Sequence, residues 1–157
     1  GGSSPEDYAL ILNSSNAEWN YALAWNDTAP TSSHVTLGGD SGVNGNNNDF
    51  LAMLFASVDG ISKVGYYTGT GSSLDITTGF TPRFLIIKKT NSADHWNVYD
   101  TTRGWGSGNE NHLRLNTNGA QITDEDHGVP TSTGFTVAAS VGTVNTNGDK
   151  YIYYAHA

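Results

Sequence analysis

Tyr8-Ala-Leu-Ile-Leu-Asn-Ser-Ser-Asn-Ala-Glu-Trp19-Asn20 runs in parallel with Phe84-Leu-Ile-Ile-Lys-Lys-Thr-Asn-Ser-Ala-Asp-His-Trp96-Asn97. The offset is 76 at Ile11/Ile87 and 77 at Trp19/Trp96, with His95 as the inserted residue. A second block follows in the same order. Val35-Thr36-Leu37, Gly42, Val43-Asn44-Gly45-Asn46, Phe50-Leu51 and Ala56 match Phe135-Thr136-Val137, Gly142, Val144-Asn145-Thr146-Asn147, Tyr151-Ile152 and Ala157 at offsets of 100 to 101. Agreement in order across two blocks predicts an internal duplication, with halves at about 8–57 and 84–157 after a linker-like start over 1–7. The second half carries an insertion of about two dozen residues between Trp96 and Phe135.

Each half reads as strand, Asn-rich turn, aromatic strand. Such a unit buries its apolar face only by packing on a partner, which predicts one all-β domain: an antiparallel two-sheet β-sandwich built from two halves. Phe84-Leu85-Ile86-Ile87 is a continuous apolar run suited to a buried strand, and Tyr151 to Ala155 alternates around aromatic and β-branched residues. Segment 50–57 is ambiguous on propensity, and its repeat partner, the aromatic segment ending the chain, decides for strand. Asn147-Gly148-Asp149 reads as a type I′ hairpin turn.

Composition agrees. The 157 residues are 36% hydrophobic and 14% charged, against about 45–50% and 25% in an average soluble domain. Gly, Asn, Thr and Ser replace the missing charge, and they favour turns and strands over helices. Four Trp, eight Tyr and five Phe argue for a folded chain rather than a disordered one. A net charge of -8 speaks against nucleic acid and anionic lipid as partners, whose binding rests on Lys and Arg. With no cysteine there is no disulfide, thiolate metal site or cysteine nucleophile. The longest apolar stretch, Phe50 to Val58, falls far short of the roughly 20 residues of a membrane helix. The start, Gly1-Gly2-Ser3-Ser4-Pro5, lacks the pattern of a signal peptide and looks like a linker or a cut inside a longer protein.

Little points to catalysis. Asp40 to Asp49 fails the calcium-loop template, because its third position is Gly42 and its twelfth Leu51; an irregular site on Asp40, Asn44, Asn46 and Asp49 is weaker than a solvated turn. Asp124-Glu125-Asp126-His127 offers carboxylates and an imidazole, but neighbours along a strand face opposite ways, so a solvated acidic loop is the preferred reading. The five His, at 34, 95, 112, 127 and 156, have neither His-x-x-x-His nor His-x-His spacing, and no Gly-x-Ser-x-Gly elbow is present. No enzyme activity, metal or cofactor is expected.

Sugars are held by stacking on aromatic faces and by directional amide and hydroxyl hydrogen bonds, both abundant in this chain. Trp19 and Trp96 occupy matching places and read as core. Trp105, in the Gly-rich segment Arg103 to His112 and without a repeat partner, is the leading ligand contact, with Asn109 and His112 beside it. Tyr66, Tyr67 and Trp25 complete the candidate set.

Phe55-Ala56, Gly60-Ile-Ser-Lys-Val-Gly65-Tyr66-Tyr67-Thr68-Gly69-Thr70-Gly71, Thr78-Gly79-Phe80-Thr81-Pro82-Arg83-Phe84 to Lys89, Trp96, Tyr99-Asp100, Arg103-Gly104, Gly134-Phe135 and the closing Asn145 to Ala157 resemble a domain of bacteriophage tail-fibre and related virion proteins, frequent in phages of marine bacteria and cyanobacteria. The resemblance spans roughly residues 50–157. It implies a structural or receptor-binding part of a virion appendage, usually a homotrimer, and it supplies no catalytic residues. The resulting expectation is a non-enzymatic, extracellular virion module that presents loops to a host cell-surface glycan or receptor. The rival expectations are a spacer or decoration module without receptor binding, a carbohydrate-binding module of a polysaccharide-degrading protein, and, from a different class, a polysaccharide-cleaving enzyme.

Overall fold

A computed structural model describes residues 4–157. In chain order the elements are a 3-10 turn at Pro5–Asp7, β1 (Tyr8–Ala9), β2 (Trp19–Asn20), α1 (Ala22–Trp25), α2 (Ser41–Asn44), β3 (Ser62–Thr68), β4 (Leu74–Thr77), β5 (Phe84–Lys89), β6 (Trp96–Asp100), β7 (Glu110–Arg114), β8 (Ile122–Glu125), β9 (Gly128–Thr131), β10 (Gly134–Val137), α3 (Gly142–Asn145) and β11 (Lys150–His156). All strand pairs are antiparallel and each helix is a single turn, so the fold is all-β. The linker-like start lies partly outside the described residues, and the rest of it is occupied by the Pro5–Asp7 turn.

The strands form a six-stranded sheet in the order β3-β11-β5-β6-β7-β8, a three-stranded sheet β4-β10-β9 and the short pair β1-β2. On the inner face of the large sheet the register aligns Tyr67, Tyr151 and Lys89, then Tyr153 with Ile87 and Asn97, then Ala155, Leu85 and Tyr99. The apolar side chains among these pack against Phe135 and Val137 of β10, Leu74 and Ile76 of β4, and Val144 of α3. Alternation along β11 produces this directly: Tyr151, Tyr153 and Ala155 are buried while Lys150 and His156 are exposed. Opposite Tyr153 stands Gly65, where a Cβ would fall 2.5 Å from the Tyr153 hydroxyl oxygen, so the ring occupies the space that any other residue would fill.

The outer face of the large sheet is covered only in part. Residues 11–18 run along one end of it: Trp96 Nε1 donates to Ile11 O (3.1 Å), Asp94 N to Ser15 O (2.8 Å) and Glu18 N to Thr90 O (2.7 Å). The fully buried Lys88 lies beneath this segment and donates to Lys89 O (2.6 Å) and Ser15 O (3.4 Å). Beyond that, an apolar groove of about 830 Å³ remains open, lined by Leu12, Met53, Phe55, Tyr66, Ile152 and Tyr154 among others.

Two expectations are corrected here. Residues 50–57 form no strand: the segment meets β3 only at its end and through side chains, with Ser57 Oγ accepting from Val64 N (3.1 Å) and Ser62 Oγ donating to Ala56 O (2.8 Å), while Leu51 is 90% exposed and Leu54 74%. The Asn147–Asp149 turn is not type I′, which needs positive φ at both central residues. It closes from Thr146 O to Asp149 N (3.1 Å) with only Gly148 at positive φ (82°), and it joins α3 to β11 rather than strand to strand.

One repeated block does share its backbone geometry. α2 and α3 both end at a residue with ψ 135°, and both start with amide bonds from their last two residues to one carbonyl, Asp40 O or Val141 O. Each is followed by a four-residue turn, Gly45 O to Asn48 N or Thr146 O to Asp149 N, with positive φ at its third residue, Asn47 or Gly148. Asn44 Nδ2 donates back to Gly38 O, and Asn145 Nδ2 to Ala138 O. The surroundings differ. Asn145 is fully buried and also binds Thr70 N and Ser72 O, whereas Asn44 is exposed.

Candidate functional site

At the β7–β8 end of the large sheet the core turns polar. Tyr99 pairs with His112 across β6 and β7, and Glu110 lies two residues along from His112, so alternation points all three to the inner face. A bulge between Glu110 and His112 shifts the register against β8, pairing Glu110 with Glu125 but His112 with Ile122. Such a shift re-aims side chains. Here it swings Glu125 toward His112, while the chain leaving β8 carries His127 across to the start of β9. The result is a cluster of His112, Glu125 and His127, each offering a ligand atom within 4.8 Å of the others.

Glu125 Oε2 stands 3.2 Å from His127 Nε2 and 3.5 Å from His112 Nε2. Behind His127, Nδ1 lies 3.0 Å from the Tyr99 hydroxyl and 3.5 Å from Glu110 Oε1, and the same Glu110 oxygen accepts from the His127 backbone N–H at 2.6 Å. The Thr143 hydroxyl of α3 is 2.9 Å from His127 Nε2. The two imidazoles meet edge to face, with ring centroids 4.7 Å apart at 68°.

Burial governs the charges. It pushes the Glu110 carboxyl up to about 7 and the His127 imidazolium down to about 4, and it lowers His112 as well. Both imidazoles are therefore neutral near pH 7. Four atoms go without hydrogen bonds in this cluster: Glu110 Oε2, Glu125 Oε2 and both ring nitrogens of His112, which is 0% exposed. An open depression of about 630 Å³ reaches Glu125 and His127 between Lys89, Asp94 and Thr143.

The residues nominated from sequence do not converge. Trp105 is 4% exposed: its indole N–H donates to Gly128 O (2.9 Å) and its ring packs near Tyr99 and Phe135, so no sugar can stack on it. Lacking a repeat partner does not free it for a ligand, because a lone aromatic can plug an insertion into the core. Tyr67 is also core, stacked on Tyr151 with its hydroxyl donating to Val144 O (2.7 Å), and His112 belongs to the polar cluster. Tyr66 is 66% exposed on the apolar outer face, Asn109 is exposed in the β6–β7 loop, and Trp25 is half-buried at the end of α1. Asp40 caps α2 by accepting from Gly42 N (2.6 Å) and also accepts from the Tyr21 hydroxyl. Glu125 and His127 belong to this cluster rather than to the solvated acidic loop that the sequence suggests. Their two-residue spacing, which puts side chains on one face, was the available signal, but their third member lies thirteen positions before Glu125.

No curated protein matches the chain, and neither does any solved structure. One family model does, over residues 2–157, nearly the whole chain. The chain belongs to the family described as a domain of unknown function, DUF7483.

Proposed function

We propose that this chain is a non-enzymatic structural module of a virion appendage, assembled from copies of itself through the uncovered outer face of its large sheet. The observation that supports this is the apolar surface formed by the open groove and residues 50–58. Leu51, Met53 and Leu54 are each more than 70% exposed there, next to Tyr66 and Phe55. A monomer seldom leaves such a contiguous surface in water.

A second copy is the occupant that the chain's own pattern favours. Segment 50–57 is the sequence counterpart of the closing segment 151–157, and β11 is flanked in the sheet by β3 and β5. The earlier segment has the apolar character of such a strand but pairs with none, meeting the sheet only through Phe55 against Tyr154 and the Ser57 and Ala56 bonds to β3. The shared geometry of the α2 and α3 blocks supports the finer reading, a two-sheet sandwich that arose by duplication and whose first half is completed on assembly. Three copies per unit is what the tail-fibre resemblance implies.

Light scattering on the isolated chain tests this reading. The expected mass is that of three chains, and a Leu51→Asp, Leu54→Asp double variant is expected to be monomeric with an unchanged far-ultraviolet spectrum. A wild-type monomer at high concentration would overturn it. Receptor binding is the second part of the proposal, with the loop around Asn109 as the exposed candidate surface. Competition by the chain for adsorption to host cells supports binding of a surface glycan, whereas failure to compete leaves the spacer role.

A further inference from the structure

We infer that His112, Glu125 and His127 form a binding site for one divalent transition-metal ion of the zinc class, with a fourth position open to solvent. The inference is independent of the assembly reading and rests on geometry. Zinc bonds its nitrogen and oxygen ligands at about 2.0–2.2 Å, which places tetrahedral ligand atoms roughly 3.3 Å apart. Glu125 Oε2 lies 3.2 and 3.5 Å from the two imidazole Nε2 atoms, and all three ligand atoms fall within 4.8 Å of one another. No direct hydrogen bond joins His112 to the carboxylate, and His112 Nε2 is fully buried and unpartnered. Leaving such an atom unsatisfied costs free energy that a metal ion would recover.

The surroundings match those of a metal-bound histidine. A ligating imidazole usually gives its other N–H to a carboxylate or hydroxyl, which fixes its tautomer and orientation. His127 Nδ1 faces the Tyr99 hydroxyl and Glu110 Oε1, and Glu110 itself is clamped by the His127 backbone N–H. That arrangement leaves Nε2 as the ligating nitrogen, with Thr143 Oγ1 at 2.9 Å and Glu125 Oε2 at 3.2 Å. The Thr143 hydroxyl lies at the edge of the open depression, where it is placed to hydrogen-bond a water or an anionic group on the metal. Two imidazoles and one carboxylate suit zinc and its first-row neighbours rather than calcium or magnesium, which take oxygen ligands.

The test uses the full chain without a histidine tag, stripped with chelator and titrated with Zn²⁺ by calorimetry and with Co²⁺ by visible absorption. The expected result is one ion per chain, intense bands of low-coordinate Co²⁺ that Zn²⁺ abolishes, and no displacement by Ca²⁺. Glu125→Gln keeps the shape of a side chain that is 41% exposed, so it tests the site without opening the core. It is expected to weaken Zn²⁺ binding by about 100-fold, and Glu110→Gln by about tenfold, with folding of both checked by their metal-free melts. Absence of Zn²⁺ binding in the wild type, or equal binding in Glu125→Gln, would overturn the inference.

Discussion

Glu110 is a buried carboxyl with one oxygen bonded and one unpartnered. Its pKa in the fold, about 7, lies above its ordinary 4.5, so its contribution to stability is complete at low pH and is lost as pH rises through 7. Glu110→Gln removes that loss and keeps an oxygen for the His127 N–H. With chelator present, the variant is expected to melt above the wild type at about pH 8 by about 5 °C, roughly 2 kcal/mol, and to converge with it near pH 5. His127 acts in the opposite sense. Its pKa falls from 6.5 to about 4, so stability is complete above 6.5 and is lost as pH falls toward 4 in both proteins, which thermal melts across pH will check. Next to it, Gly128 has φ 126°, and a Cβ there would fall 1.9 Å from Thr136 O. Gly128→Ala is expected to cost about 3 kcal/mol in denaturant melts, because both backbone strain and a backbone clash oppose it.

At the scale of elements, the α2 and α3 blocks present the same local fold in two environments. Asn145 ties the β3–β4 loop to α3 through Thr70 N and Ser72 O, and the β10–α3 connection through Ala138 O. Asn145→Ala is expected to lower stability by about 3 kcal/mol, at about 1 kcal/mol per buried hydrogen bond. Asn44 makes one such bond at the surface, so Asn44→Ala is expected to cost under about 1 kcal/mol in the isolated monomer. A larger cost for Asn44→Ala in the oligomer than in the monomer, measured by denaturant melts at two concentrations, would mean that assembly buries this block as α3 is buried in the core.

For the whole molecule, the -8 charge and the uncovered apolar face act against each other on association. Apolar contact drives it and self-repulsion opposes it, so added salt is expected to raise the oligomer fraction by screening the repulsion. The melting temperature is expected to rise with protein concentration, since binding to the folded state stabilises it by mass action. Calorimetry over a hundredfold concentration range reads both effects. A concentration-independent melt would count against self-assembly.

The strands around Phe84–Lys89 and Lys150–His156, the all-β class and the place of the Asn147–Asp149 turn were legible from the sequence alone, because they depend on side-chain alternation and on local φ preferences. The likeness of the two Asn-rich blocks was legible for the same reason. Only the tertiary structure decided which of the matching segments pair. Residues 50–57 have the composition of a strand, yet strand pairing needs a neighbouring backbone in register, and that is a property of distant chain. Trp105 likewise looked available to a ligand until its loop folded it under Gly128. The candidate metal centre required all of this at once. Glu125 and His127 are close in sequence, but His112 joins them only through the β7–β8 pairing and its one-residue bulge, a nonlocal register that no spacing along the chain encodes.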